Sequence, residues 1–210
     1  MAPIITLIRH AEGMHDFYHQ DRQTIIDPTL TELGIHKCLD VRKEFPHHDK
    51  ITHIMVSPLK RTIETAIHCF KPAIDRGVQV AAMPEVTANE PDGCNQGHAP
   101  EEIIEWARST FGGDFLNERS FHLMPSNWYD KSGGLYEYEE SKLKLRASIA
   151  RQILRRMAIN AGDKAHIVVA SHLEFLSYLA EDNRPMWDHA EWRSYTIGSN
   201  DDATLVRLSS

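Results

Sequence analysis

Arg9 and His10 stand side by side where a short apolar run, Ile4-Ile5-Thr6-Leu7-Ile8, meets charge. The layout recurs twice. Ile51-Thr52-His53-Ile54-Met55-Val56 runs into Ser57-Pro58-Leu59-Lys60-Arg61, and His166-Ile167-Val168-Val169-Ala170 runs into Ser171-His172. A neutral imidazole is a nucleophile or a general base, and guanidinium groups hold the oxygens of an anion by charge-assisted hydrogen bonds. Brought together, Arg9, His10, Arg61 and His172 suit two chemistries. In the first, His10 attacks phosphorus while the arginines and a protonated His172 hold the phosphoryl oxygens. In the second, Asp16 and Glu174 join them in a mixed acid/base pocket for a carboxylate or carbonyl substrate, with His10 as base and Glu174 or Glu90 as acid.

Both chemistries need the three segments to be neighbouring parallel strands. Apolar runs with β-branched members and no polar alternation fit strands covered on both faces, and open α/β sheets place ligands at the carboxyl ends of such strands. Helices are expected between them. Thr31 offers an N-cap for a helix ending before Pro46, a second starts near Pro58 and runs to about Phe70, and Pro100-Glu101-Glu102 opens a third. Leu145, Ile149, Ile153 and Met157 recur every four residues and predict a long helix with one apolar face, Arg146 and Arg151 lying elsewhere on it. Val78–Ala82 and two closing segments near Tyr195 and Thr204–Leu208 complete an α/β domain of three layers, α/β/α, with a mostly parallel central sheet. From 112 to 138 no period is visible, yet Phe115, Phe121, Trp128, Tyr129 and Tyr136 concentrate there. An ordered lid is expected of such a segment, with Trp128 as its substrate contact and room for a hydrophobic substrate.

Composition limits the partners. The 210 residues carry a formal net charge of −7 and no low-complexity tract, which fits one domain over 1–210 and excludes a broad basic face for nucleic acid or an acidic membrane. No secretory or membrane-spanning segment is visible, and Cys38, Cys69 and Cys94 lack paired spacing, so a cytoplasmic protein with reduced thiols is expected. His15 and His19, near Asp16 and Asp27, have a ligand-like spacing, but no second cluster joins them, so neither metal nor cofactor is expected. Glu64 is expected on the surface of its helix, and His47-His48 in a solvated turn. The partner implied is a small-molecule substrate.

Arg9-His10-Ala11 resembles the Arg-His-Gly/Ala signature of the histidine phosphatase superfamily, the phosphoglycerate-mutase-like proteins. Ser57-Pro58-Leu59-Lys60-Arg61-Thr62-Ile63-Glu64-Thr65-Ala66 is similar to its second arginine motif, and Asp27-Pro28-Thr29-Leu30-Thr31-Glu32-Leu33-Gly34 to the segment after its first strand. The closing Glu191-Trp192-Arg193-Ser194-Tyr195 looks like fungal members. The resemblance implies phosphomonoester hydrolysis through a phosphohistidine at His10. Three features depart from it. Ala88 falls where fungal relatives carry the general acid, leaving Glu90 as nearest substitute and Glu85 as a weaker one. Asp16 replaces a neutral asparagine, and Leu173-Glu174 replaces two glycines. These departures keep open a non-phosphatase acid/base enzyme or a non-catalytic binding protein.

Overall fold

The structure is a computed structural model that describes residues 2–18, 23–112, 114–181 and 186–208. His19 lies outside the described residues. Among the described residues six strands form one sheet in the order β3-β2-β4-β1-β5-β6. They are β1 Ile4–Arg9, β2 His53–Val56, β3 Val80–Ala82, β4 His166–Ser171, β5 Trp192–Ile197 and β6 Leu205–Arg207. β1 and β2 pair parallel with β4, and β3 parallel with β2, while β5 pairs antiparallel with both β1 and β6. The register sets Arg9 opposite Ser171 and Val56 opposite Ala170. The ends of the three chemistry-bearing strands therefore coincide at one edge of the sheet.

Side chains alternate across these strands with the period of two that a pleated backbone imposes. Ile8, Ile54, Val56, Val168 and Ala170 pack on one face with α2 (Glu32–Glu44), α3 (Lys60–Ile74) and α4 (Pro100–Phe111). Ile5, Leu7, Met55, Ile167 and Val169 pack on the other with α6 (Glu140–Ala161) and α7 (Leu173–Ala180). Two short helices, α1 (Met14–Phe17) and α5 (Glu118–His122), lie in the long connections. Among the described residues no helix is long and apolar enough to cross a membrane.

The Thr31 hydroxyl caps α2 by accepting from the Gly34 amide at 3.0 Å. A Cβ on Gly34 would stand 2.2 Å from the Glu12 carbonyl oxygen, so the residue must be glycine for the loop after His10 to lie against α2. α3 runs further than the sequence suggests, but it kinks at Phe70, two residues before Pro72. Proline has no amide hydrogen for the His68 carbonyl, which accepts instead from Arg42 Nε at 2.6 Å.

Three expectations need correction. The buried face of α6 is Leu143, Ala147, Ala150, Leu154 and Ala158, whereas Leu145 is half exposed. Arg146 and Arg151 belong to the buried face: Arg151 donates to the carbonyls of Tyr178 and Leu179 at the end of α7, where a cation is favoured. His47 and His48 are not a free solvated turn, since both rings pack edge-on against Phe45 and a His48 ring nitrogen lies 2.8 Å from the Arg42 carbonyl. Glu64 is buried rather than on the surface. Its carboxyl accepts from the Leu30 amide at 2.6 Å, pinning the returning loop to α3.

Burial pushes the Glu64 carboxyl up to about 7, with the nearby Asp27 adding to the rise, and burial likewise raises Asp27 to about 6. An acid raised in the folded state stabilises fully below its unfolded value and loses that contribution as pH rises through the folded one. Glu64→Gln, which keeps the acceptor for Leu30, should match wild type in stability below about pH 4.5 and exceed it by about 2 kcal/mol above pH 7. Urea unfolding at a series of pH values measures this gap; a gap that does not widen between pH 4.5 and 7 would refute the burial account.

Candidate active site

β1 carries Arg9 and His10 to the sheet edge, and the His10 amide donates to the Ser171 carbonyl at 2.9 Å. His10 Nδ1 lies 2.8 Å from the Ala11 carbonyl oxygen. A carbonyl can only accept, so Nδ1 bears the proton and Nε2 keeps its lone pair. Burial lowers the His10 pKa well below the usual imidazole value, and the charges of Arg61, His172, Arg9 and His15 lower it further. The imidazole is neutral and nucleophilic.

Arg61 sits in the first turn of α3 and is almost fully buried. Its Nη1 donates to the Cys94 carbonyl and its Nη2 to Asn95 Oδ1, both at 2.7 Å. Nη2 also lies 3.1 Å from His172 Nδ1, and His172 Nε2 lies 2.8 Å from Ser57 Oγ. Arginine only donates, so Nδ1 of His172 is a bare acceptor and Nε2–H points at the serine. The expectation of a protonated His172 is corrected: burial, then Arg61, hold it neutral in the unliganded protein. His10 and His172 have ring centroids 5.1 Å apart. Arg9 donates through Nη1 to the Trp187 carbonyl and through Nη2 to His189 Nε2, each at 2.7 Å.

A cavity of about 310 Å³ opens over these groups. Arg9, His10, Asp16, Arg61, Glu90, His172 and Glu174 all line it, together with His15, Ala88, Asn89 and Asn95. Glu85, the weaker acid candidate, does not line it, and neither does Trp128. Trp128 is fully buried, its Nε1 donates to the His98 carbonyl at 3.1 Å, and a Cβ on Gly97 would stand 2.3 Å from its ring. The indole is a core side chain, and its role as a substrate contact is withdrawn.

Asp16 faces the cavity with its charge already engaged. Burial alone would raise its carboxyl, but the neighbouring His189, the charge of His15 and the Gly13 amide outweigh burial and hold it below the usual carboxylate range. Glu174 accepts from the Tyr138 hydroxyl at 3.3 Å. With Ala88 offering no acid, Glu90 and Glu174 are the other carboxylates that line the cavity. Asn95 and His189 carried no sequence signal, because each reaches the site from a loop far along the chain. His10, Asp16 and His189 also place possible ligand atoms within 4.8 Å of one another, although Arg9 already takes the His189 lone pair.

A neutral imidazole among arginines at the carboxyl edge of a parallel-dominated sheet defines an α/β protein built to hold an anion against a nucleophile. The family model of the histidine phosphatase superfamily (branch 1) matches residues 5–112, just over half of the 210. The chain belongs to that superfamily, whose members are hydrolases or mutases of the histidine-phosphatase type. No curated protein matches it by sequence. Among solved structures it is similar to an ecdysone phosphate phosphatase from Bombix mori in complex with tungstate, at 15% identity and a TM-score of 0.69, covering 99% of this chain and 92% of that one. A phosphoglycerate mutase from Bacillus anthracis aligns at 14% identity and a TM-score of 0.61, covering 100% and 93%. A phosphoserine phosphatase mutant from Entamoeba histolytica aligns at 16% and 0.57, covering 99% and 95%. At these identities the likeness concerns the fold.

Two substitutions test the electrostatics of the cavity. Asn95→Ala frees the Arg61 guanidinium and should weaken the binding of inorganic phosphate about tenfold. Asp16→Asn removes a carboxylate from beside the anion and should tighten it by about the same factor. Calorimetry reads both; phosphate affinity indifferent to Asp16 would show that the carboxylate does not face the anion.

Proposed function

We propose that this protein hydrolyses the phosphomonoester of a small metabolite through a phosphohistidine at His10. The observation that carries the reading is the bare Nε2 of a neutral His10, held by the Ala11 carbonyl inside a cavity lined by Arg9 and Arg61. Nε2 attacks phosphorus in line as the ester P–O bond breaks, and the two guanidinium groups stabilise the charge on the equatorial oxygens. The leaving alkoxide takes a proton from Glu90 or Glu174. The same carboxylate then accepts a proton from the water that attacks the P–N bond, releasing phosphate and restoring the imidazole. His172 takes its place beside His10 through Ser57 and Arg61, and gains a proton only when a phosphoryl dianion offsets the charge of Arg61.

A second reading has its own observation: Asp16 and Glu174 both line the cavity, as an acid/base enzyme for a carboxylate or carbonyl substrate would require. The first is preferred because the Gly13 amide already occupies one Asp16 oxygen at 2.8 Å, while two guanidinium groups and a neutral imidazole line the same cavity. Release of phosphate from 4-nitrophenyl phosphate separates the two. The hydrolase should turn it over, be inhibited by vanadate and lose roughly 10³-fold or more in His10→Ala. A protein that leaves the aryl phosphate untouched while converting carbonyl or carboxylate substrates would establish the second.

A further inference from the structure

Arg146 is a buried cation to which the proposed reaction gives no task. It comes from the second turn of α6, is fully buried, and lies over the rings of Phe175 and Tyr136, 4.6 and 5.9 Å from their centroids. Burial pulls it down to about 10, so the guanidinium keeps its charge at neutral pH, and Glu174 and Glu85 act on that charge only through space. Its hydrogen bonds go to uncharged oxygens of one short loop: Nη2 donates to the Thr87 carbonyl at 3.0 Å and to Asn89 Oδ1. Nε and Nη1 are buried without a partner. A charge taken out of water with no opposite charge bonded to it is strongly destabilising, and an apolar side chain of similar size would fill the same space without that loss.

Asn89 shows what the charge does. Its side chain is almost fully buried and lines the His10 cavity beside Ala88 and Glu90. Arginine only donates, so the atom that meets Arg146 is the amide oxygen, and a flipped amide would set donor against donor. Nδ2 is the group left over, and it is buried without a partner. A guanidinium on the oxygen draws electron density from the amide and makes its N–H bonds stronger donors. The loop is held on both sides of the amide: Arg146 also takes the Thr87 carbonyl, and the Glu90 carbonyl accepts from Asn95 Nδ2 at 3.1 Å. Asn95 is the residue that holds Arg61, so Asn89 and Arg61 are fixed in one network. An anion in the cavity relieves both strained groups at once, giving Nδ2 an acceptor and offsetting the charge behind it.

We propose that Asn89 is a catalytic residue whose Nδ2 donates to an equatorial oxygen of the phosphoryl group during transfer to His10, and that Arg146 is the positioning residue that fixes this amide and strengthens it as a donor. The inference rests on the phosphatase reading for the step at which the bond is made. A donor aimed at charge that gathers in the transition state acts on turnover more than on substrate binding.

Vanadate and a double-mutant cycle test this. In wild type the Asn89 side-chain amide, assigned in the ¹H–¹⁵N spectrum by its absence from Asn89→Asp, should shift downfield when vanadate is added. Asn89→Ala should lower kcat for 4-nitrophenyl phosphate about 10²-fold, leave KM within about threefold, and weaken vanadate about tenfold or more by calorimetry. Arg146→Met should weaken vanadate by a similar factor alone, but by less than about twofold in the Asn89→Ala background, because it acts through that amide. Arg146→Lys, which keeps the charge but not the fork, takes its place in the cycle if Arg146→Met does not fold. An Asn89 amide that vanadate leaves unmoved, an Asn89→Ala variant with wild-type kcat and vanadate affinity, or losses that simply add across the cycle would overturn the proposal. If wild type turns over the aryl phosphate and Asn89→Ala does so equally fast, this inference alone fails. If wild type ignores the aryl phosphate yet binds vanadate with the expected dependence on Asn89 and Arg146, the donor stands and the phosphatase reading fails.

Discussion

The structure depends on keeping one imidazole neutral while surrounding it with positive charge. His10 is buried at the end of a central strand, and Arg9, Arg61, His15 and His172 all oppose its protonation. The Ala11 carbonyl then decides which nitrogen keeps the lone pair. Neither effect would suffice alone, because burial without orientation leaves the tautomer open and orientation without burial leaves the ring free to protonate near neutral pH. The guanidinium groups that would hold an anion are thus the same groups that keep the nucleophile bare.

Sheet topology makes the arrangement possible. Parallel pairing of β1 and β2 with β4 brings three strand ends to one edge, and the pleat sends alternate residues into two cores that fix the strands from both sides. Gly34 lets the loop after His10 press against α2, and Glu64 ties the far end of that loop to α3. A carboxyl raised by burial near the first turn of α3 is the cost of that anchor, and a stronger repulsion between Glu64 and Asp27 would loosen the loop that carries Asp16.

The strand ends were legible in the sequence because an apolar run that stops at Arg-His, Lys-Arg or Ser-His reports both burial and polarity. That information is local. Asn95 and His189 were not legible, since nothing near them in the chain shows that they meet Arg61 and Arg9. The aromatic segment was read by composition, which cannot tell a ring facing substrate from one facing the core, and Trp128 proved to be the latter. The face of α6 was misread because a hydrophobic period gives too little weight to alanine and none to buried arginine, while Arg146 and Arg151 lie inside by giving their hydrogens to carbonyls and Asn89. Glu64 was misplaced for the same reason: one backbone amide was enough to hold it inside.

The proposed hydrolysis requires a bond between His10 Nε2 and phosphorus. Rapid acid-free quenching of the protein with an aryl phosphate, followed by ³¹P NMR and peptide mass spectrometry, reads that bond directly. The expected species is an alkali-stable, acid-labile phosphoramidate on Nε2 of His10 that forms and decays at rates competent for turnover. Turnover with the phosphoryl group on another residue, or with no covalent intermediate at all, would contradict it.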